Sequence, residues 1–292
     1  MEIYQKKSRI PVHVSLPLKG RAGERSFTNW PLCFLILLAF VSGCKKHDDP
    51  VPVIPSGTIA FSIDHRVNGQ PLIQNELIYT NAAGNNYMIN DLMYFISDIT
   101  FYRSDGTHTM IGASRDIFYV DENMPETKTI QFPDKIPAGK YDSIHFIFGI
   151  SEAKNKSHLF LNPPEALMGW PEVLGGGYHY MMMNGKWKDT TGLIMPFNFH
   201  LGIGQLYKGG GYNVDSIYAF VQNYFTVSLP GSSFKLADQE KLTFLLTMNI
   251  EQWFENPHIY DHNHWGGAIM QNQPAMQMAK ENGWDVFSII KR

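Results

Sequence analysis

Cysteine is nearly absent from this chain: of 292 residues, only Cys33 and Cys44 carry a thiol. Two cysteines cannot build a disulfide framework or a cysteine-based zinc site. Charge is scarce as well, at 17% of residues against about 25% in an average soluble protein. The net charge of −3, from 24 Lys and Arg against 27 Asp and Glu, lacks the basic balance of a nucleic-acid binder. G-x-S-x-G, P-loop and H-E-x-x-H signatures are missing. Gly175-Gly176-Gly177 and Gly209-Gly210-Gly211 have no strand-to-helix setting and read as loop glycines. No internal repeat of fixed period is present. What the chain has in quantity is aromatic residues, 19 Phe, 14 Tyr and 6 Trp, and that composition excludes intrinsic disorder.

The N-terminal stretch has its own logic. Lys6, Lys7, Arg9, Lys19, Arg21 and Arg25 precede the apolar run Leu32 to Val41, which ends in Val41-Ser42-Gly43-Cys44. Ten residues at about 1.5 Å each cannot span a hydrocarbon core of about 30 Å. A basic region, a short apolar stretch and small residues before a cleavage point predict a secretory signal. The small-small-Cys ending resembles the bacterial lipoprotein signal, which implies cleavage before Cys44 and lipidation of its thiol. The expected division is a signal peptide over 1–43, a Pro-rich tether over 44–57 and one domain over 58–292. Cleavage would remove six basic and two acidic residues and leave a net charge of −7 on 249 residues. Cys44 then anchors the protein to the membrane. The expected location is extracytoplasmic, on the bacterial outer membrane at its periplasmic face or the cell surface.

The remainder reads as strands. Runs rich in Ile, Phe, Tyr and Val, separated by turn residues, predict an all-β fold, an antiparallel β-sandwich with long loops and one or two short helices. Expected strands cover 58–67, 88–103, 108–113, 117–120, 128–132, 141–150, 178–183, 196–201, 214–229 and 241–254. Short helices are expected at 276–280 and 151–159. Asn184-Gly185 is the strongest hairpin signal. Period-two alternation places His179, Met181 and Met183 opposite Tyr178, Tyr180 and Met182, and His200 opposite Phe199 and Leu201.

Histidine without cysteine is the chemical signal. Nine histidines lie beyond the tether: His65, His108, His145, His158, His179, His200, His258, His262 and His264. Imidazole suits copper, zinc and iron, and thioether sulfur suits Cu(I). His262-Asn263-His264, if extended, puts two imidazoles on one face. Spacing alone does not select among these residues. It leaves open polar strand faces and loops, a metal centre, or an aromatic groove of Trp170, Tyr178, Tyr180, Trp187 and Trp265 that binds a glycan or peptide.

Several motifs occur in a telling order: Leu161-Asn162-Pro163-Pro164, Met168-Gly169-Trp170, Gly177-Tyr178-His179-Tyr180, Asn184-Gly185-Lys186-Trp187 and Phe199-His200-Leu201-Gly202. Together with Asn90 to Ile99 and Gly139 to Ile150, this order resembles the MbnP family of periplasmic copper-binding proteins, in its lipoprotein branch. The resemblance covers roughly Thr58 to Gln205. It implies a β-sandwich that binds one copper ion through histidines and a kynurenine, made from tryptophan by a di-haem partner of the MbnH type. Carried over by motif, it points to His200, to His158 in the loop after Gly149, to His65 in the first strand and to Trp170 as the modified tryptophan. Position 63, where distant relatives place a tryptophan before that first histidine, is Ile. The expected ligand set is His65, His158, His179 and His200, with Met181 or Met183 as soft additions. The expected function is that of a carrier or scavenger, not an enzyme. Convergence of three of His65, His158, His179, His200, His262 and His264 within about 4 Å of one point would support a copper centre, and its failure would weaken the copper reading sharply.

Overall fold

The computed structural model describes residues 53–112 and 116–292. The expected signal peptide, Cys44 and most of the expected tether lie outside the described residues. The described chain belongs to one compact unit from Pro52 to Arg292. Its longer strands, in chain order, are β1 (Ser56–Val67), β2 (Asn86–Tyr102), β3 (Ile117–Asp121), β4 (Ser143–Phe148), β5 (Met181–Lys188), β6 (Ile194–Leu201), β7 (Ile203–Tyr207), β8 (Ile217–Gln222), β9 (Phe225–Leu229), β10 (Lys241–Asn249) and β11 (Phe287–Lys291). β1 begins two residues before the expected domain boundary. Among the described residues no helix is long and apolar enough to cross a membrane.

Two sheets make an all-β sandwich. One runs β11-β10-β1, and the other runs β6-β5-β2-β4-β9, with β3 also paired to β2. Pairing is antiparallel except between β1 and β10, which are parallel. A parallel pair needs a long crossover, and here most of the domain lies between the two strands. Alternation along β1 sends Ile59, Phe61, Ile63, His65 and Val67 into the interior. Aromatic rings join the layers there: Phe287 packs against Tyr94, Phe146 and Phe148, and Phe132 against both Phe61 and Phe101. Each such ring removes 150–250 Å² of surface from water, so the abundant aromatics form the core.

Several expectations differ from the structure: the expected strand 214–229 divides into β8 and β9, and the expected strand 241–254 ends at Asn249, where a 3-10 helix over Ile250–Phe254 follows. Residues 151–159 form turns and no helix, because their side chains hold a neighbouring loop. Ser157 Oγ accepts from the Gly177 amide and Asn155 Oδ1 from the Tyr178 amide. The strands β7 and β11 lie outside every expected strand, and the expected C-terminal helix is longer, Gln273–Asn282. Asn184-Gly185 is not a hairpin turn. It lies within β5, and the chain reverses between β5 and β6, where Asp189 Oδ1 accepts from the amides of Thr191 and Leu193. Gly185 is there because a Cβ would stand 2.1 Å from the Met88 carbonyl oxygen and 2.4 Å from the Phe197 ring. The register of β2 against β5 skips a residue at this point. Gly185→Ala is expected to destabilise the domain by about 1–3 kcal/mol through overpacking. Gly210→Ala, whose Cβ would meet open space, should leave the thermal midpoint unchanged, and the two midpoints measured together check the claim.

Candidate metal centre

The register between β5 and β6 decides which side chains can meet. Met181 pairs with Leu201 and Met183 with Phe199, whereas Met182 pairs directly with His200. Across the other edge of β5, Met181 faces Tyr94, Met182 faces Met93 and Met183 faces Leu92. Met181, Met183, Leu201, Phe199, Tyr94 and Leu92 are all buried in the core. The opposite, outer face carries Met93, Met182, Asn184 and His200. His179 joins this face although the expected alternation set it with Met181. The strand proper starts at Met181, so period-two counting does not extend back to residue 179.

His179 and His200 meet with ring centroids 5.1 Å apart and planes at 86°. Both are nearly buried. His179 Nδ1 lies 2.9 Å from the Met168 carbonyl oxygen, and the His179 amide donates to the same oxygen at 2.7 Å. A carbonyl only accepts, so Nδ1 carries the hydrogen and Nε2 keeps a lone pair. His200 Nε2 lies 2.8 Å from Asn184 Oδ1, while the Asn184 amide nitrogen donates to Asp91 Oδ2 at 3.3 Å and Asn123 donates to Asp91 Oδ1. This chain fixes the amide so that its oxygen faces the ring, which places the hydrogen on Nε2 and leaves Nδ1 with a lone pair. Neither His179 Nε2 nor His200 Nδ1 has a hydrogen-bond partner among the described residues. Burial pushes the pKa of His200 down to about 3, helped by neighbouring His179. Burial also lowers that of His179, against the Met168 and Gly169 carbonyls, which raise it. Both imidazoles are therefore neutral at physiological pH, the state in which imidazole ligates metals. A ring nitrogen oriented by a carbonyl or amide on the far side is the usual support of a ligating histidine.

Trp170 borders the pair. Its ring meets His179 edge-to-face at 4.6 Å, and its Nε1 donates to the Leu174 carbonyl at 3.1 Å. Gly202 makes room for it, since a Cβ there would lie 2.5 Å from the indole.

The other expected ligands do not join them. His65 points into the interior from β1, with Nδ1 2.5 Å from Glu122 Oε2 and Nε2 2.9 Å from the Tyr94 hydroxyl. Lys128 Nζ completes this cluster on Glu122 at 3.0 Å. Burial raises the Glu122 pKa, but hydrogen bonds and charge from His65 and Lys128 outweigh it and the net shift is downward. Both His65 nitrogens are thus engaged, and parity puts the ring on the core side of the sheet. His65→Phe should destabilise the domain by about 2–4 kcal/mol, because Glu122 and the Tyr94 hydroxyl lose a partner. Urea unfolding of that variant beside the parent measures the loss. His158 is exposed, at φ 62°, and lines a cleft of about 490 Å³ that Trp170 also borders. His262 and His264 sit on a one-turn helix, His262–Trp265, with His262 fully buried and His264 exposed. Two imidazoles converge where three were expected, and among the described residues no group of three or more His, Cys, Asp or Glu is arranged to hold a metal ion. The aromatic-groove alternative loses its lining, because Trp170, Tyr178, Tyr180 and Trp187 are all buried. Asn184 and Asp91, which orient His200, were not among the expected site residues; a correct register for β5 is the signal that finds them.

These features define an all-β sandwich protein with a buried, neutral imidazole pair on the outer face of one sheet. The MbnP family profile matches residues 56–271, and the chain belongs to that family. Among solved structures it is similar to MbnP from Methylosinus trichosporium, with a TM-score of 0.52 at 13% identity, covering 82% of this chain and 99% of that one. At that identity the likeness speaks for the fold. No curated protein matches the chain.

Proposed function

We propose that this protein is an extracytoplasmic copper-binding lipoprotein, a carrier or scavenger and not a catalyst, held at the outer membrane through lipidated Cys44. The observation that carries the metal reading is the pair of free lone pairs on His179 Nε2 and His200 Nδ1. Two hydrogen bonds to carbonyl oxygens fix both tautomers, and the rings stand 5.1 Å apart. That spacing suits two nitrogens each about 2.0–2.1 Å from a common ion. Membership of the MbnP family supports copper over other imidazole-binding metals. Trp170, against His179, is the tryptophan whose conversion to kynurenine by a di-haem MbnH-type partner would add a ligand beside the pair. His65 and His158 are left out of the centre, the first by its two existing bonds and the second by its exposed loop.

Metal analysis after copper loading and dialysis tests this reading, with one copper per chain as the expected result. A protein that retains none overturns it. Intact-mass measurement of protein from its own host reads the state of Trp170, and a mass for unmodified tryptophan removes the kynurenine step.

A further inference from the structure

Two neutral imidazoles leave an ion under-coordinated, and among the described residues no third His, Cys, Asp or Glu converges on them. The residue directly across the strand pair from His200 carries a thioether. We propose that Met182 supplies the third ligand, beside His179 and His200, and that the centre is selective for Cu(I). This inference rests on the metal reading of the imidazole pair.

Three observations lead to Met182. It is the direct cross-strand partner of His200, and such partners on one face have Cβ atoms about 4.5–5.5 Å apart. Its neighbours in sequence, Met181 and Met183, are fully buried on the opposite face. Met182 itself is half-buried, open enough to turn toward an incoming ion. Asn184, also on this face, already uses its oxygen on His200 Nε2.

Chemistry then selects the ion. Sulfur of a thioether is a soft donor that suits Cu(I), and imidazole accepts copper in either oxidation state. The three donors are all neutral. A divalent cation held by neutral ligands at a nearly buried site would keep its full charge uncompensated, a cost that rises steeply with charge. A monovalent ion carries far less of that penalty. Asp91 is the nearby carboxylate in the hydrogen-bond chain, and Asn184 stands between it and His200. Met93, opposite Met182 on β2, adds a second thioether to the rim along which a soft ion would enter.

The test is an anaerobic titration of the full protein with Cu(I) against a chromogenic Cu(I) chelator, with Cu(II) titrated in parallel. Met182→Leu keeps size and shape, so folding should be preserved; Met181→Leu serves as the core control. The expected result is at least a tenfold loss of Cu(I) affinity in Met182→Leu, an unchanged Cu(II) affinity, and no Cu(I) loss in Met181→Leu. Copper X-ray absorption of the Cu(I) form should show a sulfur neighbour that vanishes in Met182→Leu. If Met182→Leu binds Cu(I) as the parent does while His200→Ala does not, the thioether ligand is wrong and the imidazole centre stands. If the parent itself takes up neither ion, or His200→Ala binds as the parent does, the imidazole reading falls and this inference with it.

Discussion

His200→Ala is expected to lower copper affinity by more than about a hundredfold while the protein stays folded. The substitution removes one of two nitrogens whose lone pairs are free, and no other described histidine is placed to replace it. His65 is tied to Glu122 and Tyr94, and His262 is enclosed in the core. Losing an outer partner of a ligand typically costs 10–100-fold, so loss of the ligand itself should exceed that range. A graded series sharpens the prediction. Asn184→Ala leaves the His200 ring in place but removes the oxygen that fixes its tautomer, and the expected loss is about 10–100-fold. Asp91→Ala acts one link further out and should cost less again. Chelator competition across the three variants gives the ranking His200, Asn184, Asp91 from largest loss to smallest. Equal losses in all three would mean that a general disturbance of the sheet, and not ligation, is being measured.

The second large effect concerns acid stability. His262 lies inside a box of Tyr87, Trp187, Phe197, Phe254 and Tyr260, with its nearest ring centre, that of Phe197, at 4.5 Å. Both its nitrogens are buried with no hydrogen-bond partner. Burial lowers its pKa to about 4, and Asp261 only partly offsets this. In the unfolded chain the same group titrates near 6.5. Above pH 6.5 both states hold a neutral ring, and the group makes no pH-dependent difference. As pH falls from about 6.5 to about 4, only the unfolded state takes up the proton, so stability is lost across that window. The loss amounts to about 3 kcal/mol at 1.36 kcal/mol per pH unit. His200, with its pKa near 3, adds a loss of the same sign. His262→Phe removes the His262 part, since a phenyl ring has nothing to protonate. Urea midpoints of parent and variant between pH 7 and pH 4 should diverge steadily in favour of the variant. Parallel curves would show that His262 is not held neutral in the fold. Any constant offset at pH 7 reports packing of the larger ring and does not bear on the slope.

Both predictions concern histidines, and spacing alone did not select between them. Composition and alternation were enough for the fold class. β1, β2 and β6 fall close to their expected spans, because each is a run rich in apolar and aromatic residues. The site was only half legible. His179 and His200 stood among the expected ligands, and Trp170 packs against His179. His65 and His158 stood there as well, and nothing in local sequence separates an imidazole facing the core from one facing outward at the far end of another strand. Met182 was placed on the wrong face, since the count ran through residues 178–180 as though they were strand.

The scarcity of cysteine, the abundance of aromatics and the recurrent apolar runs settle on their own that this chain forms a β-rich domain with an aromatic core, and that no metal in it is held by a cysteine cluster. Those are properties of composition and short-range order, and they need no knowledge of which strands are neighbours. Which imidazoles meet is a long-range matter. It depends on the point where β5 begins, on the skipped residue at Gly185, and on the pairing that sets Met182 against His200. A shift of one residue in that register turns every side chain to the opposite face. Tertiary pairing therefore gave His65 to a hydrogen-bonded cluster with Glu122 and Tyr94, His262 to an aromatic box, and set His179 beside His200 with their rings 5.1 Å apart.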